Sequence, residues 1–302
     1  MSLFRVEQAE GACIMGDLRR IWNVELDLLK EFDLICKSNG LEYYASCGTL
    51  LGAVRHKGFI PWDDDIDLFL KWPDYKRLME IAPSAFSHPY FFQSIYSDPQ
   101  SMPNACRLRR SDTTGFTRWE HENTDYSYNR GIFIDVFPLF YVPDNNDQRA
   151  AQKQNVLRLW EIIRGHDAWL LKEKGNSSHD NYDQYIPAFL SYWKQNGSFP
   201  DITSLKEQYL FACASTSERT SELGATSSKC HQSNLMWNTE WFDQTIYLPF
   251  ENTVIPCPGE YEKVLEKQYG DWKTPVHGGS KHEMYFIDPE LPWTEYISSH
   301  FG

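Results

Sequence analysis

Apolar residues recur at spacings of three and four between Asp17 and Lys37, at Leu18, Ile21, Trp22, Leu28, Leu29, Phe32 and Ile35, and the pattern stops at Asn39-Gly40. This spacing lays an apolar stripe along one side of a helix, and the glycine supplies the stop. Leu41 to Ser46 is short and aromatic and runs into a glycine, which predicts a strand, followed by a short helix over Leu50–Arg55. A second strand is predicted at Ile66–Leu70 and a helix at Pro73–Ala85. Strands follow at Tyr90–Ser94, Cys106–Arg109 and Gly131–Val136, then a long helix within Asp147–Lys172. Strands dominate early and helices late. The class is α+β: a mixed-sheet catalytic core flanked by helices in residues 1–145, and a mainly helical portion in 146–302 whose C-terminal segment returns to the site. Candidate loops are 175–181 and the Ser/Thr-rich run 214–228, and no repeat is visible.

Composition narrows the function classes. The 302 residues carry 29 basic against 42 acidic side chains, a net charge of −13. Nucleic-acid binding calls for a basic footprint, which this chain lacks at the global level. Hydrophobic residues at 41% and aromatics at 15% suit a folded protein with a sizeable core. No window reaches the roughly 18 apolar residues of a membrane-spanning helix. The start, Met1-Ser2-Leu3-Phe4-Arg5-Val6-Glu7, lacks the basic-then-apolar order of a secretory signal. Seven cysteines stand singly, at Cys13, Cys36, Cys47, Cys106, Cys213, Cys230 and Cys257, with no zinc-ligand spacing. Reduced thiols and a cytoplasmic location are the expectation.

Chemistry concentrates between Ser46 and Leu68. Asp63-Asp64-Asp65-Ile66-Asp67 sets four carboxylates against an apolar run, where like charges repel unless solvated or bound to a cation. On a strand, Asp65 and Asp67 would share a face and grip one hard cation through oxygen, a spacing that suits magnesium. Upstream, Gly48 and Thr49 fall between a strand and a helix, where backbone N–H groups favour an anion such as phosphate. Arg55, His56 and Lys57 add positive charge to this candidate substrate site. Asp135 interrupts the apolar run Ile132-Phe133-Ile134-Asp135-Val136-Phe137, and a lone carboxylate in a buried strand is costly without a cation or hydrogen bonds.

The segments Gly48-Thr49-Leu50-Leu51-Gly52-Ala53-Val54-Arg55-His56 and Ile60-Pro61-Trp62-Asp63-Asp64-Asp65-Ile66-Asp67 resemble the signature of the LicD/fukutin-type phosphotransferases, a branch of the nucleotidyltransferase superfamily. Echoes follow at Arg107-Leu108-Arg109 with Thr113-Thr114, at Gly131–Pro138, and at Tyr269-Gly270-Asp271-Trp272 with Pro275 and His282. The resemblance implies a nucleotidyltransferase-like fold. It also implies transfer of phosphocholine or an alditol phosphate from a CDP-linked donor to a hydroxyl of a cell-surface glycan, lipopolysaccharide or teichoic acid, with Mg2+ or Mn2+. Matched position by position, Asp65 and Asp67 correspond to the metal pair, Gly48-Thr49 to the Gly-Ser turn and Asp135 to the third carboxylate. Asp63 and Asp64 belong to the signature without an assigned metal contact.

Such a reaction is mostly positioning and charge neutralisation, with a carboxylate placed to orient or deprotonate the incoming hydroxyl. Arg109 is the candidate for a bidentate contact to the donor phosphates. Trp119, Tyr126 and Tyr128 are candidates to stack on a sugar or enclose a choline ammonium. Two other classes compete: a nucleotidyltransferase that moves a nucleoside monophosphate onto a sugar or other small acceptor, and a glycan-binding protein on a decayed enzyme fold. The Arg55-to-Trp62 insertion and the Tyr269-Gly270-Asp271 tail favour the first class over the former, and the intact Asp65, Asp67 and Asp135 argue against the latter.

Overall fold

The computed structural model describes residues 15–117, 120, 128–175, 182–225, 235–276 and 284–301. Cys13, Trp119, Tyr126, Cys230, His282, loop residues 176–181 and the end of the Ser/Thr-rich run at 226–228 lie outside the described residues. The first half of the chain contains α1 (Met15–Asn39), β1 (Tyr44–Ala45), α2 (Cys47–Arg55), β2 (Asp67–Lys71), α3 (Trp72–Ala85), β3 (Tyr90–Gln93), β4 (Cys106–Arg110), β5 (Thr114–Thr117) and β6 (Ile132–Val142). Three helices follow, α4 (Asn146–Glu173), α5 (Ile186–Asn196) and α6 (Ile202–Cys213). The remainder is β7 (Glu222–Ala225), β8 (Met236–Asn238), β9 (Thr245–Phe250), β10 (Thr253–Pro258), α7 (Tyr261–Tyr269), β11 (Met284–Asp288) and α8 (Trp293–Phe301).

The main sheet has the order β1-β2-β6-β4-β3, with β7 also pairing β6 and β8 pairing β7. β2 and β6 are parallel, and the other pairs are antiparallel. Helix α1 buries Leu18, Ile21, Leu28, Leu29, Phe32 and Cys36 and packs on β6 and β4. Its end at Gly40, with φ +63°, is the left-handed stop that the sequence called for. This is the mixed α+β architecture expected from the pattern.

Three boundaries differ from the pattern, each for a local reason. The first strand shrinks to Tyr44–Ala45 because α2 already opens at Ser46, whose carbonyl accepts the Leu50 N–H at 2.9 Å, so Gly48 and Thr49 sit in that helix's first turn instead of a loop before it. β2 begins at Asp67, so Asp65 is placed by the loop leading into the strand and not by strand alternation. β6 runs through Pro138 to Val142, beyond the predicted end at Val136. On the edge of β6 away from β2, β4 pairs residues 132–136 and β7 pairs 139–142. Pro138 falls in the gap between them, where a missing N–H breaks no ladder bond. The second half adds strands that the pattern did not predict: β7 and β8 on the main sheet, the β9–β10 hairpin, and β11 paired with β5.

Candidate active site

Parallel pairing sets Asp67 of β2 beside Asp135 of β6, and antiparallel pairing sets Asp135 beside Arg107 of β4. Opposed residues on neighbouring strands project to one face, so these side chains form a row across the sheet. Asp67 and Asp135 are both buried. Arg107 Nε donates to Asp135 Oδ1 at 2.8 Å, and its guanidinium lies over the Phe133 ring at 3.9 Å. The second oxygen of Asp135 makes no hydrogen bond among the described residues. Burial alone would lower the Arg107 pKa, but the Asp135 and Glu120 carboxylates outweigh it and hold the guanidinium above its ordinary range.

Arg109 is placed differently from what the sequence suggested. It is fully buried at 0% exposure. Its guanidinium donates to Gln93 Oε1 at 2.6 Å, Glu120 Oε1 at 2.5 Å and the Gly131 carbonyl at 2.9 Å. A side chain saturated in this way has no face toward a donor phosphate. It fixes Glu120 and Gln93 behind the row instead. Burial would raise the Glu120 pKa, but Arg109 and Arg107 overcome it and hold that carboxyl below its usual range.

Helix α2 braces the front of β2. The Thr49 hydroxyl accepts the backbone N–H of Asp67 at 2.8 Å, and the Ser46 N–H donates to the Asp67 carbonyl at 3.0 Å. A Cβ at Gly48 would collide with the Asp63 carboxylate, so this glycine lets the protein's own acid lie against the first turn of the helix. The loop from His56 to Ile66 is pinned along its length. Trp22 Nε1 donates to the Asp63 carbonyl at 2.8 Å, Trp22 stacks on Phe59 with centroids 4.8 Å apart, and the Phe59 N–H donates to Glu251 Oε1 at 3.1 Å. Arg55, His56 and Lys57 lie at the opposite end of α2 from Gly48. There Arg55 Nη1 donates to the Trp272 carbonyl at 3.1 Å, while His56 and Lys57 are exposed. Partial desolvation of this largely exposed ring first, and the Arg55 charge second, hold the His56 imidazole below its ordinary pKa. The structure thus joins Thr49 to Asp67 and Asp67 to Asp135 but does not bring the basic turn to them.

Asp63, Asp64 and Asp65 each place one carboxylate oxygen within 4.8 Å of the others, a grouping able to hold a hard cation. Glu25 of α1 is buried beside them at 1% exposure. Burial, then the charges of Asp65, Asp64, Asp63 and Asp67, push its pKa well above the ordinary carboxyl value.

A cavity of about 370 Å3 opens beside Asp135, lined by Arg107, Glu120, Tyr128, Arg164 and Tyr182 among others. The Arg164 guanidinium, on α4, lies over the rings of Trp160 at 4.2 Å and Tyr182 at 4.6 Å. It makes no ion pair among the described residues, and its Nη1 rests on Met102 Sδ at 3.0 Å.

Glu25 and Arg164 were not singled out from the sequence. The signal for Glu25 was present: a charged residue stands where the apolar stripe of α1 passes from Ile21 to Leu28. Arg164 gives no such signal, since nothing in its helix tells a stacked cation from a solvated one.

Residues 40–160 match the family described as LicD/FKTN/FKRP, nucleotidyltransferase domain. The chain is 44% identical over 272 residues to the lipopolysaccharide cholinephosphotransferase LicD of Haemophilus influenzae, covering 84% of this chain and 91% of that one. Two uncharacterized proteins match over 56 residues, 18% of this chain: one of Rickettsia prowazekii, at 43% identity over 21% of its length, and one of Rickettsia typhi, at 41% over 18%.

Proposed function

The chain belongs to the LicD/FKTN/FKRP family of nucleotidyltransferase domains, and from that premise we propose that it transfers phosphocholine, or an alditol phosphate, from a CDP-activated donor to a hydroxyl of a cell-surface glycan such as lipopolysaccharide. The observation that carries this reading is the register that sets Asp67 beside Asp135, with Asp135 lining a cavity large enough for a small ligand. The similarity to a named lipopolysaccharide cholinephosphotransferase points to the substrate class.

In the proposed reaction, an acceptor hydroxyl attacks the donor phosphorus that bears the choline or alditol. A new P–O bond forms to the acceptor, the P–O bond to CMP breaks, and the hydroxyl proton passes to the oxygen of Asp135 that Arg107 leaves unbonded. Arg107 keeps that carboxylate turned toward the cavity, and Arg164, stacked and without a carboxylate partner, meets the phosphates. Asp65, Asp67 and Asp135 are oxygen donors of the kind Mg2+ or Mn2+ takes, and such a cation supplies neutralisation of the diphosphate charge. Buried carboxylates offering only oxygen suit it.

We further propose that residues 1–145 carry the chemistry, since Asp65, Asp67 and Asp135 all lie there, and that the later chain supplies substrate walls such as Arg164 and Tyr182. Among the described residues no helix is long and apolar enough to cross a membrane. Action in the cytoplasm is supported by Cys36, Cys47, Cys106, Cys213 and Cys257, which are all free thiols.

The test is incubation with CDP-choline, CDP-ribitol, CDP-glycerol or nucleoside triphosphates, with Mg2+ or Mn2+ and with chelator. Metal-dependent CMP release from one of the CDP-linked donors is expected. Pyrophosphate release from a triphosphate would instead select transfer of a nucleoside monophosphate.

A further inference from the structure

Helix α1 turns its apolar stripe to the sheet, and one position on that stripe is an acid. Glu25 is 1% exposed, and its Oε2 has no hydrogen-bond partner among the described residues. It faces a cavity of about 10 Å3 whose walls are Glu25, Asp64 and Asp65 together with the apolar chains of Ile21, Ile132, Phe133 and Ile287. That volume is close to one water-sized sphere, the scale of a single ion. A buried carboxylate whose Oε2 meets no donor among the described residues, and whose polar neighbours in that cavity are carboxylates, is a costly arrangement unless a cation sits among them.

We propose that Glu25, Asp64 and Asp65 form a divalent-cation site that clamps α1 to the loop leading into β2. It lies beside the Asp65, Asp67 and Asp135 set, with Asp65 common to both, and goes beyond the transfer reaction because its role is to hold two elements together. The donors are all carboxylate oxygens, so the site selects hard ions such as Mg2+, Mn2+ or Ca2+ over zinc or copper. The apolar walls of Ile21, Ile132 and Ile287 offer no competing hydrogen bonds and shield the ion from exchange with bulk water.

The experiment uses the full chain carrying Asp67→Asn and Asp135→Asn, which removes the charge of the sheet row and leaves the proposed site whole. Mn2+ binding is followed by electron paramagnetic resonance, and thermal melts are run in Mn2+ and in chelator. The double variant is expected to keep one bound Mn2+ and a melting temperature raised by the ion. Adding Glu25→Gln, which keeps size and removes charge, is expected to abolish both and to raise the melting temperature in chelator. Asp64→Asn in the same background repeats the test from the loop side without touching the helix, with Mn2+ affinity weakened roughly tenfold or more, because affinity follows ligand charge. The proposal is overturned if the double variant binds no Mn2+ and melts alike in ion and chelator, or if Glu25→Gln and Asp64→Asn leave Mn2+ binding unchanged. Failure of the transfer reading would show separately, as a parent chain that binds Mn2+ as expected yet releases no CMP from any CDP-linked donor.

Discussion

Asp135 on β6 and Glu25 on α1 are both buried carboxylates, at 4% and 1% exposure, yet the fold surrounds them with opposite charges. Asp135 receives the Arg107 guanidinium at 2.8 Å, and behind it Glu120 is matched by Arg109. The charges acting on Glu25 are those of Asp65, Asp64, Asp63 and Asp67. A carboxylate matched within the chain is held in place whether or not anything binds, which suits a group that must meet a substrate in one geometry. A carboxylate among its own kind makes local stability depend on what is bound. One acidic neighbourhood thus divides into a preorganised half on the sheet and a conditional half between α1 and the loop.

The largest expected effect tests the preorganised half. Asp135→Asn should slow transfer about 10²–10⁴-fold, the range for loss of general-base assistance, and Asp67→Asn by at least as much. CMP release and acceptor modification, measured with urea melts to verify folding, report this. A normally folded Asp135→Asn that transfers at the parental rate would end the distinction between the two halves.

Next in size is Arg109. Replacing it with alanine leaves Glu120 buried without its main partner, and breaking a buried pair costs about 3–5 kcal/mol. Denaturant unfolding measures the loss. A chain that stays stable but loses donor affinity would return Arg109 to the phosphate-binding role that its sequence position suggested. Arg164→Met sharpens the same contrast from the cavity side. It should leave stability nearly unchanged and weaken CDP-choline binding by about 1.5–3 kcal/mol, the worth of a hydrogen bond to a charged group. Calorimetry decides between this and a purely stacking role, in which affinity would hold.

A smaller effect is written in acid. Glu120 has its pKa held below the ordinary value of 4.5 by Arg109 and Arg107 against the pull of burial. A folded-state pKa below the unfolded one means that the unfolded chain binds the extra proton first. The stabilisation is therefore present above about pH 4.5 and is lost as pH falls through the lower folded value. For one site the slope is at most about 1.4 kcal/mol per pH unit. Glu120→Gln should flatten that acid limb in a series of melts between pH 3 and 6, and an unchanged limb would show that another group sets it.

Much of the sheet half was legible because strands announce themselves locally. Asp135 in an apolar run and Asp67 at the head of another had to meet something, and the parallel register of β2 and β6 brings them to each other. What could not be read was register-dependent. Arg107 and Arg109 look equivalent in sequence, and only pairing with Asp135 opposite Arg107 separates the one at the cavity from the one behind it. Thr49 looked like a phosphate contact, but its hydroxyl accepts the Asp67 N–H, a bond across 18 positions that no local pattern encodes. Strand alternation suggests a shared face for Asp65 and Asp67, but Asp65 is set by a loop, because ladder pairing begins two residues later.

The smallest predicted effect concerns the basic turn, which adjoined the acidic cluster in sequence and is set apart from it in the fold. Helix α2 spans Cys47 to Arg55, and at about 1.5 Å rise per residue its two ends are about 12 Å apart. Arg55 is committed to the Trp272 carbonyl at 3.1 Å, and Lys57 is exposed, with φ +58° and its carbonyl accepting the Glu251 N–H at 2.8 Å. At physiological ionic strength the screening length is about 8 Å, so an exposed charge at the far end of the helix contributes little to an anion near Asp67. Asparagine tolerates the left-handed backbone at position 57, so Lys57→Asn removes the charge without imposing strain. Donor affinity and transfer rate should then change by less than about twofold near 0.15 M salt, where exposed charges are screened. A tenfold loss, measured by the same calorimetry and CMP assay, would mean that the His56–Ile66 loop leaves its Trp22 and Glu251 anchors and folds over the donor. The basic turn would then join the conditional half of the site.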